Sequence, residues 1–154
     1  MRVWAILSVV FSRTVFVQSP SYDEELEATM SSLPNVLMVD DDPDHLKIYG
    51  WILERAELHP ISCLVTKRGL ELPEAIPIDL VVLDYALHCG ATPVEVAQQL
   101  RKEYPQAPIL LLSDVQELPE DVEPCVQAFV RKGNPEKLMA TARMLLGVAD
   151  RNQV

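Results

Sequence analysis

Residues 36–39, Val-Leu-Met-Val, run directly into three consecutive acids, Asp40 to Asp42, and then into Pro43. Four apolar residues in a row are typical of a parallel strand that is covered on both faces. Proline is favoured at the first position of a helix, and an acid just before it can cap that helix. The stretch therefore predicts a buried strand, a turn rich in carboxylates and the start of a helix.

Three later apolar runs repeat this arrangement and also end in a polar or charged side chain. The side chains that follow them are Asp84, Ser113 and, after Arg131, Lys132. The carboxyl ends of parallel strands share one edge of an open α/β sheet, which is where such folds place their sites. Two sets of acids, a hydroxyl and a lysine at that edge predict a site for a divalent cation and a phosphoryl group.

Strand-like and helix-like periods alternate along the chain. Strands are predicted at residues 36–39, 61–65, 79–83, 109–112 and 126–130, and helices at 44–57, 66–75, 92–104, 115–123 and 134–148. The fourth helix contains Pro119, so we expect it to be short or irregular. Five β/α units with right-handed crossovers predict an α/β fold, a doubly wound five-stranded parallel sheet of order 2-1-3-4-5 flanked by five helices, in the flavodoxin-like arrangement.

Size and composition indicate one ordinary globular domain. The chain has 154 residues, of which 49% are hydrophobic and 23% charged, and its net charge is −10. This charge and the lack of a basic cluster in the sequence argue against direct binding of nucleic acid. Three widely spaced cysteines give no disulfide framework, which favours reduced thiols in a cytoplasmic protein.

The first 33 residues form a leader ahead of the predicted domain, which spans residues 34–149 and is followed by a short tail, 150–154. The apolar run 3–11 is too short to cross a bilayer as a helix, and no clear signal-peptide cleavage site follows it. Met30 opens a short polar lead into the first strand. We interpret the leader as disordered or as a start-site artefact, with a membrane-associating segment as the less favoured alternative.

The order and strand context of Asp40, Asp41, Asp84, Ser113 and Lys132 resemble the receiver domain of two-component response regulators. The resemblance covers about residues 35–148 and is closest to stand-alone, chemotaxis-regulator-like members. It implies that Asp84 accepts a phosphoryl group from a sensor histidine kinase or a phosphotransfer protein. It also implies that the chain is a cytoplasmic phosphoprotein that acts on a downstream protein and is not a turnover enzyme.

The resemblance implies a magnesium site around the phosphoacceptor. Asp41 would bind Mg²⁺ directly, and Asp40 would hold a metal-bound water or orient the site. The full ligand set that it implies is Asp40, Asp41, Asp84 and the backbone carbonyl of Ala86. Hard oxygen ligands of this kind suit Mg²⁺, which also keeps several waters.

Three further residues receive roles from the same resemblance. Lys132 would pair with Asp84 and then with the phosphoryl oxygens, and Ser113 would move to donate a hydrogen bond to them. Phe129 matches the family's rotating aromatic switch, although a core aromatic would explain it equally well. Ser113 and Phe129 together would change a surface that a partner binds.

The sequence departs from the family pattern at several positions. Gly133 stands where the family usually has a cis proline, so we expect a trans and more mobile loop. Asp114 stands where a small residue usually admits the phosphodonor, and its charge would oppose a phosphoryl group. Ala86 and Val115 occupy positions that tune hydrolysis in the family. Neither can orient a water, so we expect a long-lived phosphoryl state.

Other interpretations remain open. A phosphorylation-independent interaction module with the same fold is favoured by Asp114 and Gly133. A metal-dependent phosphatase or hydrolase is least favoured, because no acid stands two residues after Asp84. His88 and Cys89 invite a transition-metal site, but no second histidine or cysteine stands at ligand spacing. The remaining histidines, His45 and His59, are interpreted as structural or surface residues.

Overall fold

A single mixed sheet organises the part of the chain that the computed structural model describes, residues 33–148. Its six strands lie in the order β3-β2-β1-β4-β5-β6. Five of them are parallel, and β3 pairs antiparallel with β2. The strands are β1 (Asn35–Asp40), β2 (His59–Thr66), β3 (Gly69–Leu70), β4 (Leu80–Asp84), β5 (Ile109–Ser113) and β6 (Ala128–Arg131).

Three α-helices lie within the described residues: α1 (Pro43–Glu54), α2 (Pro93–Glu103) and α3 (Pro135–Leu146). Each begins with proline, and the side chain just before it, Asp42, Thr92 or Asn134, accepts a hydrogen bond from a backbone N–H of the first turn. Proline lacks the N–H that a first helical residue cannot use, so it stabilises these starts at little cost. The predicted helix starts at 92 and 134 and the capping role of Asp42 are confirmed.

The helices cover both faces of the sheet. On β1, Val36 and Met38 point to one face and pack in the cluster that contains core residues of α1 and α3. Leu37 and Val39 point to the other face and pack in the cluster that contains core residues of α2. This alternation follows from the two-residue period of a strand. The predicted doubly wound α/β class is confirmed, with the parallel strands in the predicted order.

The helix predicted at residues 66–75 is wrong. The chain instead turns at residues 67–68 and returns as β3, with Val65 opposite Leu70 and Thr66 opposite Gly69. Gly69 has a φ of +118°, a region that glycine enters without steric strain. The Thr66 hydroxyl accepts from the Arg68 N–H at 3.1 Å and donates to the Gly69 carbonyl at 3.3 Å. These local bonds stabilise a tight turn and not a helix.

The segment that was expected to form a short or irregular fourth helix contains no α-helix. Only a 3₁₀ turn, Glu123–Cys125, forms there. The Pro119 carbonyl accepts from the N–H groups of Val122 and Glu123 at 3.3 and 3.1 Å, which gives a single turn. Val122 is fully buried and holds this irregular segment on the sheet. The predicted five helices are therefore three α-helices among residues 33–148.

The predictions for the ends of the chain fall almost wholly on residues 1–32 and 149–154, outside the described residues. Within residues 33–148, no helix has the length and apolar character that a bilayer crossing requires. The same residues contain no cis peptide bond, and Gly133 has a φ of +82°. The trans loop expected at Gly133 is thus observed.

Candidate functional site

A buried ion pair stands at the centre of the carboxyl edge of the sheet. Lys132 Nζ lies 2.9 Å from Asp84 Oδ2, and their side chains are 8% and 3% exposed. The other carboxylate oxygen of Asp84 accepts from the Ala86 N–H at 3.1 Å. The Lys132 N–H donates to the Ser113 carbonyl at 2.8 Å, which fixes the lysine just beyond β6. The predicted contact between Asp84 and Lys132 is confirmed.

The electrostatics of Lys132 reflect this burial. Desolvation lowers the pKa of the Lys132 ammonium group, but its hydrogen bond to Asp84 and the charges of Asp84 and Asp40 outweigh that effect. The net result is a raised pKa, so the lysine remains charged.

Asp40 lies at the end of β1, beside Asp84, and is 3% exposed. Its Oδ1 accepts from the Asp42 N–H at 2.9 Å. Burial raises the pKa of Asp40 to about 6; the Asp42 N–H opposes this rise and the charge of Asp84 adds to it. A carboxylate held in this environment gains from any additional cation that neutralises it.

His45 also belongs to the site, although it was interpreted as a structural or surface residue. Its Nδ1 lies 3.2 Å from Asp40 Oδ2. One ligand atom each from Asp40, His45 and Asp84 lie within 4.8 Å of one another. The sequence places it five residues after Asp40, in the first turn of α1.

Asp41 takes a different direction from its neighbour. Its Oδ2 accepts from the His88 N–H at 2.7 Å, a bond between residues 47 positions apart. Asp41 thereby ties the loop after β4 to the loop after β1, and it lies outside the three-residue group of Asp40, His45 and Asp84. Its role as a metal ligand stays a prediction.

The two predicted switch residues lie in different settings. Ser113 is 1% exposed at the end of β5, and its Oγ accepts from the Val115 N–H at 3.3 Å. Phe129 is half-buried on β6 and packs against the core cluster on the α2 face. The hydroxyl is thus beside the site, whereas the aromatic ring is part of the core.

Tyr49, one helical turn after His45, is a second residue that the sequence did not single out. With Asp40 and Asp84 it lines a small cavity beneath the acids. Burial raises the pKa of the Tyr49 phenol; the charge of Lys132 opposes this rise, and the charges of Asp84 and Asp114 add to it. Asp114 is exposed, so its carboxylate adds negative charge at the mouth of the same site.

Comparison with known proteins assigns the chain to a family. The family model described as the response regulator receiver domain matches residues 36–143, which is most of the chain. The chain belongs to the response regulator receiver domain family, and this is a family of two-component signal transduction. No match was found among curated proteins.

Solved structures with the same fold are numerous. Chemotaxis response regulator CheY4 of Vibrio cholerae has 20% identity and a TM-score of 0.62, over 75% of this chain and all of that one. Response regulator TrrA of Thermotoga maritima, in complex with Mg²⁺-BeF, has 24% identity and a TM-score of 0.62, over 74% of this chain and all of that one. The Thermotoga maritima OmpR/PhoB homologue DrrB has 22% identity and a TM-score of 0.61 over 75% of this chain, which spans only 53% of DrrB.

Proposed function

We propose that Asp84 of this protein accepts a phosphoryl group from the phosphohistidine of a sensor histidine kinase or a phosphotransfer protein. The observation that carries the proposal is the buried pair of Asp84 and Lys132, at 2.9 Å, beside a second buried acid, Asp40. A buried acid cluster with a fixed lysine is costly for stability and favours a charged ligand.

The transfer forms a bond between an Asp84 oxygen and phosphorus while the phosphorus–nitrogen bond of the phosphohistidine breaks. The electron pair of that bond leaves with the imidazole. Phosphoryl transfer depends on positioning and on neutralising the oxygens of the transferred group. Lys132 is held beside Asp84 by its backbone bond to Ser113 and supplies a fixed positive charge at the acceptor.

The donor set at this edge fits Mg²⁺. The carboxylates of Asp40, Asp41 and Asp84 and the backbone carbonyl of Ala86 would hold the ion, with Asp40 acting directly or through a metal-bound water. When bound, the ion neutralises the acids and the incoming phosphoryl oxygens. Asp41 would contribute through the oxygen that does not accept from the His88 N–H.

Ser113 would link phosphorylation to the surface. Its Oγ accepts from the Val115 N–H, at the start of the irregular segment 114–122. A hydroxyl drawn towards a phosphoryl group would donate to that group and lose this contact. The segment and Phe129 would then be free to rearrange, which would change the surface offered to a downstream protein.

The same chemistry indicates location and partners. A histidine kinase obtains its phosphoryl group from ATP, so we place the protein in the cytoplasm. The partners would be that kinase and a downstream protein, and the net charge of −10 disfavours direct contact with nucleic acid. The protein would take part in its own phosphorylation without being a turnover enzyme.

A second candidate function is a phosphorylation-independent interaction module. It is favoured by Asp114, whose exposed charge stands at the mouth of the site, and by the absence of an α-helix within residues 114–122. Such a module would bind its partner through the receiver surface irrespective of Asp84.

Intact-mass measurement on the full chain separates the two. The protein is treated with acetyl phosphate and Mg²⁺, beside Asp84→Asn and beside Asp44→Asn, which changes an exposed acid in the first turn of α1. A gain of one phosphoryl group that is lost with EDTA and in Asp84→Asn, but kept in Asp44→Asn, supports the phosphoacceptor. No gain from acetyl phosphate or from a set of histidine kinases, with Mg²⁺ still bound, would favour the interaction module.

A further inference from the structure

The acid site contains a histidine, so its potential metal ligands include an imidazole nitrogen as well as carboxylate oxygens. His45 Nδ1 lies 3.2 Å from Asp40 Oδ2, and both lie within 4.8 Å of a ligand atom of Asp84. Two neighbouring ligands on one metal, each at ~2.1 Å and at a right angle, are ~3 Å apart. Asp40 and His45 therefore already have the spacing of adjacent ligands.

The structure also holds the His45 ring in place. The ring packs edge-on against Tyr49, one helical turn along α1, with centroids 6.2 Å apart and planes at 67°. Its Nε2 lies 3.8 Å from Asp42 Oδ2. A metal-bound imidazole usually has a carboxylate or carbonyl near its second nitrogen, which orients the ring. Asp42, the cap of α1, is placed for that role.

We propose that His45 is a nitrogen ligand of the cation site at Asp40 and Asp84, and that this site binds a first-row transition cation more tightly than Mg²⁺. The inference rests on the proposed function only in placing a cation at these two acids. Imidazole suits borderline cations such as Co²⁺, Ni²⁺ and Zn²⁺, whereas Mg²⁺ strongly prefers oxygen. The third side chain of the described three-residue group is His45, whereas one oxygen of Asp41 accepts from the His88 N–H.

The affinity order is the first expected consequence. Binding of divalent cations by a mixed nitrogen and oxygen site rises from Mn²⁺ through Co²⁺ to Ni²⁺. We expect Co²⁺ to bind at least about tenfold more tightly than Mg²⁺ in the absence of any phosphodonor. Loss of the imidazole should reduce this difference, because the remaining side-chain ligands are carboxylates.

The test is a titration of the full chain with Co²⁺ and, separately, with Mg²⁺. Calorimetry measures the binding of both ions, and visible absorption also measures the binding of Co²⁺. The variants are His45→Gln, His88→Gln and His59→Gln. His59 is the matched control, because its Nδ1 bonds to the Asn35 side chain at 2.8 Å, at the opposite end of the parallel strands. His88 is exposed and controls for adventitious binding by a surface histidine.

His45→Gln should lower Co²⁺ affinity by at least about tenfold, because mutation even of an outer-shell partner of a ligand typically costs about ten- to hundredfold, and it should change Mg²⁺ affinity far less. His59→Gln and His88→Gln should leave Co²⁺ affinity within about twofold. A His45→Gln affinity for Co²⁺ within that range overturns the proposal, and so does a loss confined to His88→Gln.

A second readout does not depend on the stability of a variant. The wild-type chain loaded with Mn²⁺ should show nitrogen hyperfine coupling from a bound imidazole in pulsed electron paramagnetic resonance. The absence of this coupling overturns the proposal.

Phosphorylation with acetyl phosphate and Mg²⁺ is measured on the same samples. A chain that is phosphorylated but shows no His45-dependent Co²⁺ binding keeps the proposed function and loses this inference. A chain that shows His45-dependent Co²⁺ binding but is not phosphorylated keeps this inference and loses the proposed function.

Discussion

Replacing Lys132 by methionine removes the positive charge that neutralises Asp84. Methionine keeps most of the length and apolar stem of lysine, so the change isolates the charge from the packing. Both side chains of the pair are more than nine-tenths buried. The variant therefore leaves a buried carboxylate without its ion pair, next to the second acid, Asp40.

The expected loss of stability follows from that burial. Breaking a buried ion pair by removing one partner costs ~3–5 kcal/mol. We expect the lower value, about 3 kcal/mol, because Asp84 Oδ1 keeps its bond from the Ala86 N–H at 3.1 Å. A domain of this size is stable by only ~5–15 kcal/mol, so the variant should remain folded at room temperature but denature at a clearly lower temperature.

The pH dependence has a defined sign. The pKa of Lys132 is raised in the folded protein, so the stability that its pairing gives is fully present below the ordinary lysine pKa and is lost as the pH rises past the folded value. At neutral pH the wild type therefore has the full contribution.

Urea denaturation followed by circular dichroism measures these free energies. Lys137→Met, an exposed lysine on α3, is the matched control and should change the free energy of unfolding by less than ~0.5 kcal/mol. The double variant Lys132→Met, Asp84→Asn should be more stable than Lys132→Met alone. A loss below ~1 kcal/mol in Lys132→Met, the range of an exposed pair, would refute the reasoning, as would simple additivity in the double variant.

Three further outcomes are expected. Burial raises the pKa of Asp40 from 3.8 to about 6, so its charge destabilises the folded protein fully above about pH 6 and ceases to do so as the pH falls towards 4. Asp40→Asn should therefore stabilise the protein by up to ~3 kcal/mol at pH 7 and by little at pH 4. Urea denaturation at both pH values measures this, and an equal effect at both would contradict the assignment. Asp114→Ala should speed phosphorylation by acetyl phosphate by about two- to fivefold, the equivalent of ~0.4–1 kcal/mol for an exposed charge, whereas Glu117→Ala should not. The phosphorylated protein should lose its phosphoryl group slowly in a mass-spectrometric time course, because neither Ala86 nor Val115 can orient a water, and a half-life of seconds would reject this explanation.

The elements that the sequence predicted well are those that local chemistry determines. Asp42, Thr92 and Asn134 each precede a proline, and each caps a helix in the structure. The fully apolar runs form buried parallel strands because apolar side chains on both faces of a strand are shielded from water only where both faces of the sheet are covered. Their polar end residues meet because the parallel order brings the strand ends to one edge, which is how the contact of Asp84 with Lys132 could be predicted.

The parts that were missed depend on contacts between distant residues or on turn chemistry. The direction of Asp41 is set by the His88 N–H, 47 residues away, and no local pattern encodes that bond. Residues 66–75 do not form the expected helix, because the positive φ of Gly69 and the hydrogen bonds of the Thr66 hydroxyl favour a hairpin. His45 was overlooked because a histidine in a first helical turn is ordinary until the strand end beside it is known.

The two-residue strand β3 has a consequence for how copies of this protein meet. An uncovered strand at the edge of a sheet offers a row of N–H and carbonyl groups on which another chain can build, the first step of aggregation. Here β3 occupies the end of β2, the Glu71 N–H extends the pairing to the Leu64 carbonyl, and Pro60 deprives the start of β2 of one donor. On this side the short, interrupted edge disfavours growth of the sheet by strand addition. A second copy that approaches this margin finds few backbone groups to pair with, which disfavours association of copies through it.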